Sequence, residues 1–530
     1  MSNIESMNNA TATANLVAKI VKENADLRKE NTELTAKVRW FEEQFRLSQK
    51  RRFGASSERT NDLQLGLFNE AEKEAKPLQK EPTFEDITYK RRKRKGHREA
   101  MLKDLPVETV EYELPEEEQI CSSCGGPLHE MSVEVRQEIK VIPAQVKVVK
   151  HMRHVYACRQ CEKEGIETPI VTAPMPNPPL KGSLASPSAI SYIMTQKYVY
   201  SLPLYRQEKQ FSRMGLELPR QVMANWMIHG ANAWLKPLYE TLHKELLKED
   251  ILHADETTLQ VLRESGRKAE SQSYMWVYRN GRYSPPIVLY DYQQTRAGVH
   301  PKEFLTRYKG YLHTDGYSGY NEMPDITPVG CWAHARRKFD EALKVLPADR
   351  RSADVAARQG LEFCNELFRI ERDLEDMTPD ERYKARLERS LPVLDAFFAW
   401  LNDQSLKALP KSAFGKAVAY CLNQWDKLKA FLKDGRLEIS NNRSERAIKP
   451  FVIGRKNWLF SNTPRGAEAS AIIYSIVETA KENRLDPFAY LCHVFEKMPN
   501  IDIQDPAAIE SLLPYSTSLP ETCKTPRQLL

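Results

Sequence analysis

Two short stretches of the sequence, LHADE and LHTDG, each place an aspartate two residues after a histidine. Both stretches begin with apolar residues of the kind that form buried strands. Alternate residues of a strand share one face, so the acid and the histidine of each stretch point the same way. A buried carboxylate without a partner costs free energy. The repeated pattern therefore indicates a shared role for Asp255 and Asp315.

The chemistry open to these two acids depends on whether their strands are neighbours. The stretches DILHADETTLQVLR, SYMWVYRNG and PPIVLYDYQQT predict an antiparallel meander. A helix predicted at HPKEFLTRY then lies between its first strand and the strand of LHTDG, and such a crossover gives a parallel pair about 4.8 Å apart. Asp255 and Asp315 would then lie side by side and repel each other by about 1 to 4 kcal/mol. A divalent cation reverses the sign of that interaction. Oxygen ligands favour Mg²⁺ or Mn²⁺, which keep coordination positions open for phosphate oxygens.

A third acid, Glu445, falls within SNNRSERAIKPF, where Ser440 or Asn441 can cap a helix and place Glu445 near its first turns. On its own this stretch fits a solvated helix with ion pairs, but beside two aspartates it favours a third metal ligand. Glu256 and Glu438 are competing acids. Basic side chains beside a metal carboxylate suit a nucleic-acid backbone, and a nearby tryptophan can stack on an exposed base. The predicted nucleic-acid contacts of this segment are Arg443, Arg446, Lys449, Arg455, Lys456 and Trp458.

The stretch CWAHARRKF holds a cysteine and a histidine three residues apart, followed by three cations. Cys331 and His334 could bind a second metal ion. A lone C-x-x-H pattern is a weak signal, however, and a core cysteine beside a hydrogen-bonded histidine explains it at least as well. The three cations, which face either DNA or solvent, are Arg336, Arg337 and Lys338.

Four further cysteines form two C-x-x-C pairs, with a strand-like stretch rich in Val and Ile between the pairs. Four thiolates can close a tetrahedral zinc site, with a Zn–S distance of about 2.3 Å. Four free thiols or a redox pair are the alternatives, and His151 or His154 could replace a cysteine as a ligand. The predicted ligands of a structural zinc ion are Cys121, Cys124, Cys158 and Cys161.

The composition describes a large intracellular chain. It has 530 residues, a length that predicts three or more domains. It is 41% hydrophobic and 28% charged, and it carries a formal net charge of +6. Nine cysteines, an odd number, argue against a disulfide framework. The sequence shows neither the run of roughly 18 apolar residues that a membrane span needs nor a signal peptide. We therefore expect a soluble cytoplasmic protein with no membrane partner.

The N-terminal half predicts self-association and DNA binding. Apolar residues recur every seven positions from Ile20 to Phe41, with asparagines in the other seam, which favours a parallel coiled coil over a lone amphipathic helix. Three helices with a glycine turn at Gly215 fit a helix-turn-helix, although an ordinary helical hairpin is common. The predicted DNA-reading residues of its last helix are Arg220, Gln221 and Asn225.

The motifs HADET, HTDGYSGY, CWAHARRKF and NNRSERAIKPFVIGRKNWLF, in this order, resemble the transposases of bacterial insertion-sequence family 66. The resemblance runs over nearly the whole chain and departs at Ala55, where family members usually have a basic residue. It implies a multidomain α+β protein whose RNase H-like α/β catalytic domain, of the DDE type, is split by a helical insertion. It implies that Asp255, Asp315 and Glu445 are the catalytic acids. It also implies the four-cysteine zinc module and binding to terminal inverted repeats.

The predicted domain order runs from coil to catalytic domain. The segments are a coiled-coil dimerisation helix (1–50), a basic and polar linker (51–100), the zinc-binding module (101–182), the helix-turn-helix (183–246), the first catalytic part (247–340), the helical insertion (341–433), the second catalytic part (434–485) and a C-terminal helix and tail (486–530).

The sequence thus predicts a DNA transposase that cleaves and joins DNA with Mg²⁺ or Mn²⁺ and is held together in part by Zn²⁺. The expected partners are the DNA of the element ends and target, further copies of the chain in a homodimer or larger homo-oligomer, and accessory proteins encoded by the same element. The expected location is the bacterial cytoplasm, at the nucleoid. The alternatives are an RNase H-like nuclease or resolvase that does not join strands, and a DNA-binding regulator whose acids are structural.

Overall fold

A computed structural model describes residues 144–157, 170–321, 323–347 and 355–525, together with a few isolated positions. The segment Arg153–Thr525 belongs to one compact unit, which holds every element named below. The predicted coiled coil (apart from a few isolated positions), the basic linker and the four cysteines predicted to bind zinc lie outside the described residues. Among the described residues, no helix is both long enough and apolar enough to cross a bilayer.

The described strands form a two-stranded sheet and a mixed five-stranded sheet. Their bounds are β1 (Val155–Ala157), β2 (Ile170–Thr172), β3 (Ile251–Gln260), β4 (Gln272–Asn280), β5 (Val288–Gln293), β6 (Gly310–Thr314) and β7 (Ile326–Gly330). The larger sheet has the order β5-β4-β3-β6-β7. Its first three strands form the predicted antiparallel meander, whereas β6 runs parallel to both β3 and β7.

Helices account for most of the remaining described residues. Their bounds are α1 (Pro187–Tyr198), α2 (Leu204–Arg213), α3 (Arg220–Gly230), α4 (Lys236–Leu246), α5 (Val299–Phe304), α6 (Trp332–Val345), α7 (Ala356–Asp373), α8 (Pro379–Lys407), α9 (Ala413–Asn423), α10 (Trp425–Lys429), α11 (Asn442–Trp458), α12 (Pro464–Glu482), α13 (Pro487–Lys497) and α14 (Pro506–Glu510). The described part is therefore α+β.

Local sequence signals explain several of these boundaries. The Ser186 hydroxyl accepts a hydrogen bond from the Ala189 amide (3.1 Å), and Pro187 occupies the first position of α1, as predicted. Gly215, two residues after α2, has φ +84°, a conformation that favours glycine and allows the tight turn towards α3. Sequence patterning did not predict β7. This short strand at the sheet edge contains Pro328, which is tolerated there because one side of an edge strand lacks a ladder partner.

The sheet carries a hydrophobic core on each face. Leu252 and Ala254 of β3 belong to a core shared with α1, α3, α4, α11, α12 and α13. Ile251 belongs to a second core, formed with α6 to α10. Helix α12 also covers the exposed edge of β5, where the Val288 and Tyr290 amides donate to hydroxyl groups of the helix (3.0 and 2.7 Å). Covering an edge in this way leaves its backbone unavailable to another chain.

The helices between β7 and α11 are joined to the segment that leads into α11 by a buried ion pair. Arg386 of α8 is fully buried and donates to both carboxylate oxygens of Glu371 in α7 (2.8 and 2.6 Å). Its guanidinium also donates to the carbonyls of Phe431, Asp434 and Leu437 (2.9, 3.0 and 2.8 Å). The segment that leads into α11 is thereby held against α7 and α8.

Candidate active site

Asp255 and Asp315 occupy equivalent positions on neighbouring strands. In the parallel β3–β6 pair His253 lies opposite His313, and each aspartate follows its histidine by two residues. The predicted parallel pairing through α5 is therefore confirmed. Asp315 comes immediately after β6, and its Oδ1 accepts a hydrogen bond from the Tyr317 amide (2.9 Å). The two acids lie at the same end of the sheet.

The electrostatics of Asp255 reflect a crowd of acids. Burial raises the pKa of Asp255 well above its ordinary value, and the negative charges of Glu256, Asp315 and Glu445 raise it further. A hydrogen bond from the Glu256 amide to Asp255 Oδ1 (2.8 Å) acts in the opposite direction. The charged form of Asp255 is therefore unfavourable until a cation is present.

Glu445 reaches the site from the first turn of α11, which is fixed to β3 by Asn441. Asn441 is 1% exposed; its Nδ2 donates to the Ala254 carbonyl (2.8 Å), and its Oδ1 accepts from His253 Nδ1 (3.1 Å). The prediction of a side-chain cap at the start of this helix is wrong. Asn441 does precede α11, but its side chain bonds to β3 instead of to the helix amides.

The competing acids are engaged elsewhere. Glu256 has a side chain that is only 2% exposed, pairs with Arg296 and accepts a hydrogen bond from the Tyr320 hydroxyl (2.6 Å). Glu438 accepts from Arg443 Nε (2.8 Å). By contrast, Glu445 Oε1 is buried without a hydrogen-bond partner among the described residues. Of these three acids, Glu445 is thus the one with a buried oxygen that has no hydrogen-bond partner among the described residues.

The two histidines that precede the aspartates stack beneath them. The His253 and His313 rings are 4.2 Å apart between centroids and nearly parallel, at 6°. Both are fully buried, and burial lowers the pKa of His253 to about 3 and that of His313 well below its ordinary value. His313 Nε2 accepts a hydrogen bond from the Glu438 amide (3.4 Å). The neutral rings join both acid-bearing strands to the segment before α11.

The C-x-x-H pair lies beside Glu445. Among the described residues, Cys331, His334 and Glu445 bring one ligand atom each within 4.8 Å of the others, whereas the three predicted acids do not form a cluster that tight. His334 Nδ1 is 3.8 Å from Glu445 Oε1, and an Arg337 guanidinium nitrogen is 3.6 Å from Glu445 Oε2. Burial and the Arg337 charge lower the pKa of His334. Sequence analysis had left open whether this pair binds a second metal ion or is a core cysteine beside a hydrogen-bonded histidine.

The helices between β7 and α11 support the loop that carries Asp315. The Tyr420 hydroxyl of α9 donates to the Asp315 carbonyl (3.0 Å), and Lys427 of α10 donates to Asn321 Oδ1 (2.6 Å). Gly316 has φ +92°, and a Cβ there would lie 3.2 Å from the Gln424 side chain. The loop therefore requires a glycine directly after the acid.

Some of the basic residues predicted to contact DNA are exposed, and others already contact residues of the chain. Arg446 and Lys449 of α11 are exposed, as is Arg337 of α6. The remaining predicted cations have contacts within the chain or are partly buried. Arg336 donates to Asn365 Oδ1 (2.7 Å), Lys338 lies 4.7 Å from the Tyr420 ring centroid, Arg443 pairs with Glu438, Arg455 donates to Thr257 and Thr258, and Lys456 is half-buried.

Trp458, predicted to stack on a base, is half-buried at the end of α11. Its ring packs edge-on against Phe451 (5.5 Å between centroids), and the Lys197 ammonium lies 5.1 Å from the ring centroid. The ring therefore already has neighbours within the chain. Base stacking by Trp458 stays a prediction.

The residues predicted to read DNA lie on the exposed side of α3. Arg220, Gln221 and Asn225 are exposed, whereas Met223 and Trp226 are buried on the opposite side. The Arg220 amide donates to Glu208 Oε1 of α2 (3.0 Å), which joins the beginning of α3 to the preceding helix. The geometry leaves these three side chains accessible, and their contact with DNA stays a prediction.

The acids fit a divalent cation by charge and by donor type. Asp255, Asp315 and Glu445 supply carboxylate oxygens, the ligands that Mg²⁺ and Mn²⁺ prefer. The raised pKa of Asp255 and the unpartnered Glu445 Oε1 are the features that a cation would relieve. An acid within β3, an acid directly after the neighbouring parallel strand β6 and a third acid from α11 form an arrangement suited to metal-dependent phosphoryl transfer.

Comparisons with protein families identify which such enzyme this is. Residues 182–469 match the model of the transposase IS66 family, and 118–162 match the zinc-finger binding domain of transposase IS66. Residues 475–515 match the IS66 C-terminal element, and 40–110 match a leucine-zipper model described as transposase C of IS166 homeodomain. The chain belongs to the IS66 family of transposases and is a DDE transposase. Membership implies DNA binding and a divalent metal, and the zinc-finger domain suggests zinc.

Three curated relatives come from Sinorhizobium fredii. The uncharacterized protein y4jD is 30% identical over 428 residues, which cover 78% of this chain and 81% of that protein. The uncharacterized protein y4hP is 29% identical over 431 residues, covering 78% and 75%. The uncharacterized protein y4qI is 30% identical over 426 residues, covering 77% and 75%.

Proposed function

We propose that Asp255, Asp315 and Glu445 are the catalytic acids of an RNase H-like domain that cleaves DNA at the ends of the element and joins those ends to target DNA. The observation that carries the proposal is the convergence of acids from β3, the end of β6 and α11, where burial and then the neighbouring carboxylates raise the pKa of Asp255. The sheet order β5-β4-β3-β6-β7, three antiparallel strands followed by two parallel ones, supports the RNase H-like assignment.

Asp255, Asp315 and Glu445 would hold the divalent cations, and bound cations would supply activation of a water or a 3′-hydroxyl and stabilisation of the leaving oxygen. The chain's own residues prepare that site. Asn441 fixes α11 to β3, so that Glu445 faces the two aspartates. The Tyr420 contact and the glycine at 316 hold the Asp315 loop. Arg446 and Lys449, exposed on α11, would neutralise the DNA phosphates beside the acids.

The remaining modules hold the DNA ends and bring copies of the chain together. Arg220, Gln221 and Asn225 contact the terminal inverted repeats from α3, and the zinc module with Cys121, Cys124, Cys158 and Cys161 adds a second contact. The coil over residues 1–50 pairs two chains, so that each element end is held by one copy. Accessory proteins of the same element would join this assembly in the cytoplasm, at the nucleoid.

The decisive variant is Asp315→Asn, tested on purified protein with labelled element ends and Mg²⁺. Removing the ligand charge should lower strand cleavage by at least 10³-fold, a loss of about 4 kcal/mol in transition-state stabilisation. End binding in a gel-shift assay should be unchanged, because α3 and the zinc module are intact. The matched control is Asp325→Asn, which changes an exposed aspartate paired with Lys309 (3.0 Å) and should keep full activity.

Two results would contradict the proposal. Cleavage by Asp315→Asn at the wild-type rate would remove Asp315 from the site. Cleavage of ends by wild-type protein without any joining of pre-cut ends to a target would reduce the activity to that of a nuclease.

A further inference from the structure

We propose that Cys331, His334 and Glu445 form a binding site for a thiophilic divalent cation, of which Zn²⁺ is the type, and that this ion inhibits the enzyme by holding Glu445 away from the two aspartates. The inhibitory part of this inference rests on the catalytic role proposed for Glu445. The binding part stands on geometry alone: the sulfur, an imidazole nitrogen and a carboxylate oxygen lie within 4.8 Å of one another.

The distances are close to those of a tetrahedral zinc site. Typical zinc bonds of about 2.0 to 2.3 Å to N, O and S ligands place neighbouring ligand atoms roughly 3.3 to 3.8 Å apart. His334 Nδ1 and Glu445 Oε1 are already 3.8 Å apart. Side-chain shifts of about 1 Å would therefore close the site. Three protein ligands leave a fourth position for water.

The imidazole and carboxylate ligand atoms have no competing partner. His334 Nδ1 and Glu445 Oε1 are both buried without a hydrogen bond among the described residues. A buried polar atom without a partner is destabilising, so a shared ion would recover free energy at both atoms. The Arg337 guanidinium, 3.6 Å from Glu445 Oε2, would keep its contact with the second carboxylate oxygen.

Backbone contacts around Cys331 favour a thiolate, although burial outweighs them in the free protein. The Asn441 amide donates to Cys331 Sγ (3.2 Å), and Cys331 immediately precedes α6, at the positive end of the helix dipole. In the free protein burial raises the pKa of the thiol to about 11, so an entering metal ion displaces the thiol proton to solvent. Thiolate and carboxylate together then balance the charge of a divalent ion.

The donor set distinguishes this ion from the catalytic one. Thiolate and imidazole suit Zn²⁺ and other thiophilic metals, whereas Mg²⁺ takes oxygen ligands in octahedral geometry. The same glutamate would thus serve two exclusive metal sites. Zinc bound at Cys331 would leave Asp255 and Asp315 without their third acid.

The binding test counts zinc ions in the full-length protein. Wild type, Cys331→Ser and Cys421→Ser are dialysed against micromolar Zn²⁺, and bound zinc per chain is measured by atomic emission. Serine retains an acceptor for the Asn441 amide but is a poor zinc ligand. Cys421, a buried cysteine of α9, is the matched control. Wild type and Cys421→Ser should bind one zinc ion more than Cys331→Ser, and equal zinc in all three would overturn the site.

The functional test measures inhibition of Mg²⁺-dependent end cleavage by added Zn²⁺, with each variant normalised to its own rate without zinc. Half-inhibition of Cys331→Ser should require at least tenfold more zinc than half-inhibition of wild type. Equal sensitivity of the two proteins would overturn the competition. The two hypotheses fail differently: absence of any Mg²⁺-dependent cleavage would contradict the proposed catalytic function, whereas the zinc count would still decide whether the site exists.

Discussion

Several residues at this site are both ionisable and buried, and contacts with their partners offset the free-energy cost of that burial. Asp255 is held among other acids, and two histidines stack beneath the acids in their neutral form. Because the pKa values of His253 and His313 are lowered, these histidines stay neutral in the folded protein at pH values where the unfolded chain binds protons. The stability of the fold is therefore linked to pH through this pair.

Stability should fall as the pH drops below about 6.5, because each unfolded histidine then binds a proton that its folded counterpart excludes. For His253 the effect extends down to a pKa of about 3. Each ring adds a slope of up to about 1.4 kcal/mol per pH unit. His313→Gln should show a shallower decline of its urea midpoint between pH 6.5 and 4.5. His229→Gln, at a half-buried histidine of α3, is the control; identical slopes in all three proteins would refute the linkage.

The limits of sequence reasoning are clearest at single residues. The alternation in LHADE and LHTDG predicted that each acid shares a face with its histidine, and the stacked rings agree with this. The role of Asn441 was not predictable, because its side chain bonds to His253, 188 residues earlier in the chain. A local pattern can suggest a helix cap at Asn441. Only the packing of α11 on β3 determines that the amide turns to the sheet instead.

At the scale of elements, the site depends on the attachment of helix α11 to strand β3. Asn441 and the Arg279 guanidinium both join the beginning of α11 to the sheet; Arg279 donates to the Arg443 carbonyl (3.5 Å) and to Glu482 of α12 (3.1 and 3.2 Å). Glu445 follows within one turn. Rigid attachment of α11 therefore sets the distance between Glu445 and the two aspartates.

Asn441→Ala should loosen this attachment. It leaves the Ala254 carbonyl and His253 Nδ1 without their partner, at a cost of about 2 to 4 kcal/mol. We expect the Mg²⁺ concentration for half-maximal cleavage to rise at least tenfold while end binding is retained. Asn442→Ala, one residue further on, is the control and should behave as wild type. A variant that loses stability but keeps its Mg²⁺ dependence would show that Asn441 is structural only.

Strands and helices were easier to predict than their order in space. Alternation and capping signals are local, so the meander, α1 and the helices after β7 were predicted correctly. The strand β7 was missed because a five-residue segment with a central proline carries no alternation signal. The shared core of α1, α3 and α4 with the sheet likewise depends on long-range packing, which no window of sequence records.

At the scale of the whole molecule, DNA binding should depend on exposed cations near the acids. Arg446 and Lys449 are exposed on α11, one and four residues after Glu445. Removing one cation that neutralises a phosphate should reduce the slope of log affinity against log salt by about 0.9. The double variant Arg446→Ala with Lys449→Ala should therefore lower this slope by about 2 in salt titrations of end binding. Lys236→Ala, at an exposed lysine of α4 paired with Glu240, is the control. A slope equal to that of wild type would exclude both residues from the DNA interface.

The long helical segment between β7 and α11 also delays the completion of the site while the chain is being synthesised. Glu445 follows Asp315 by 130 residues, which a ribosome adding about 5 to 20 residues per second needs on the order of 10 s to make. During that interval the nascent chain already holds two of the three proposed catalytic acids but lacks the third. The nascent chain of an enzyme that could cut the host genome is thus inactive for most of its synthesis. It can cleave DNA only after nearly all of the chain has left the ribosome.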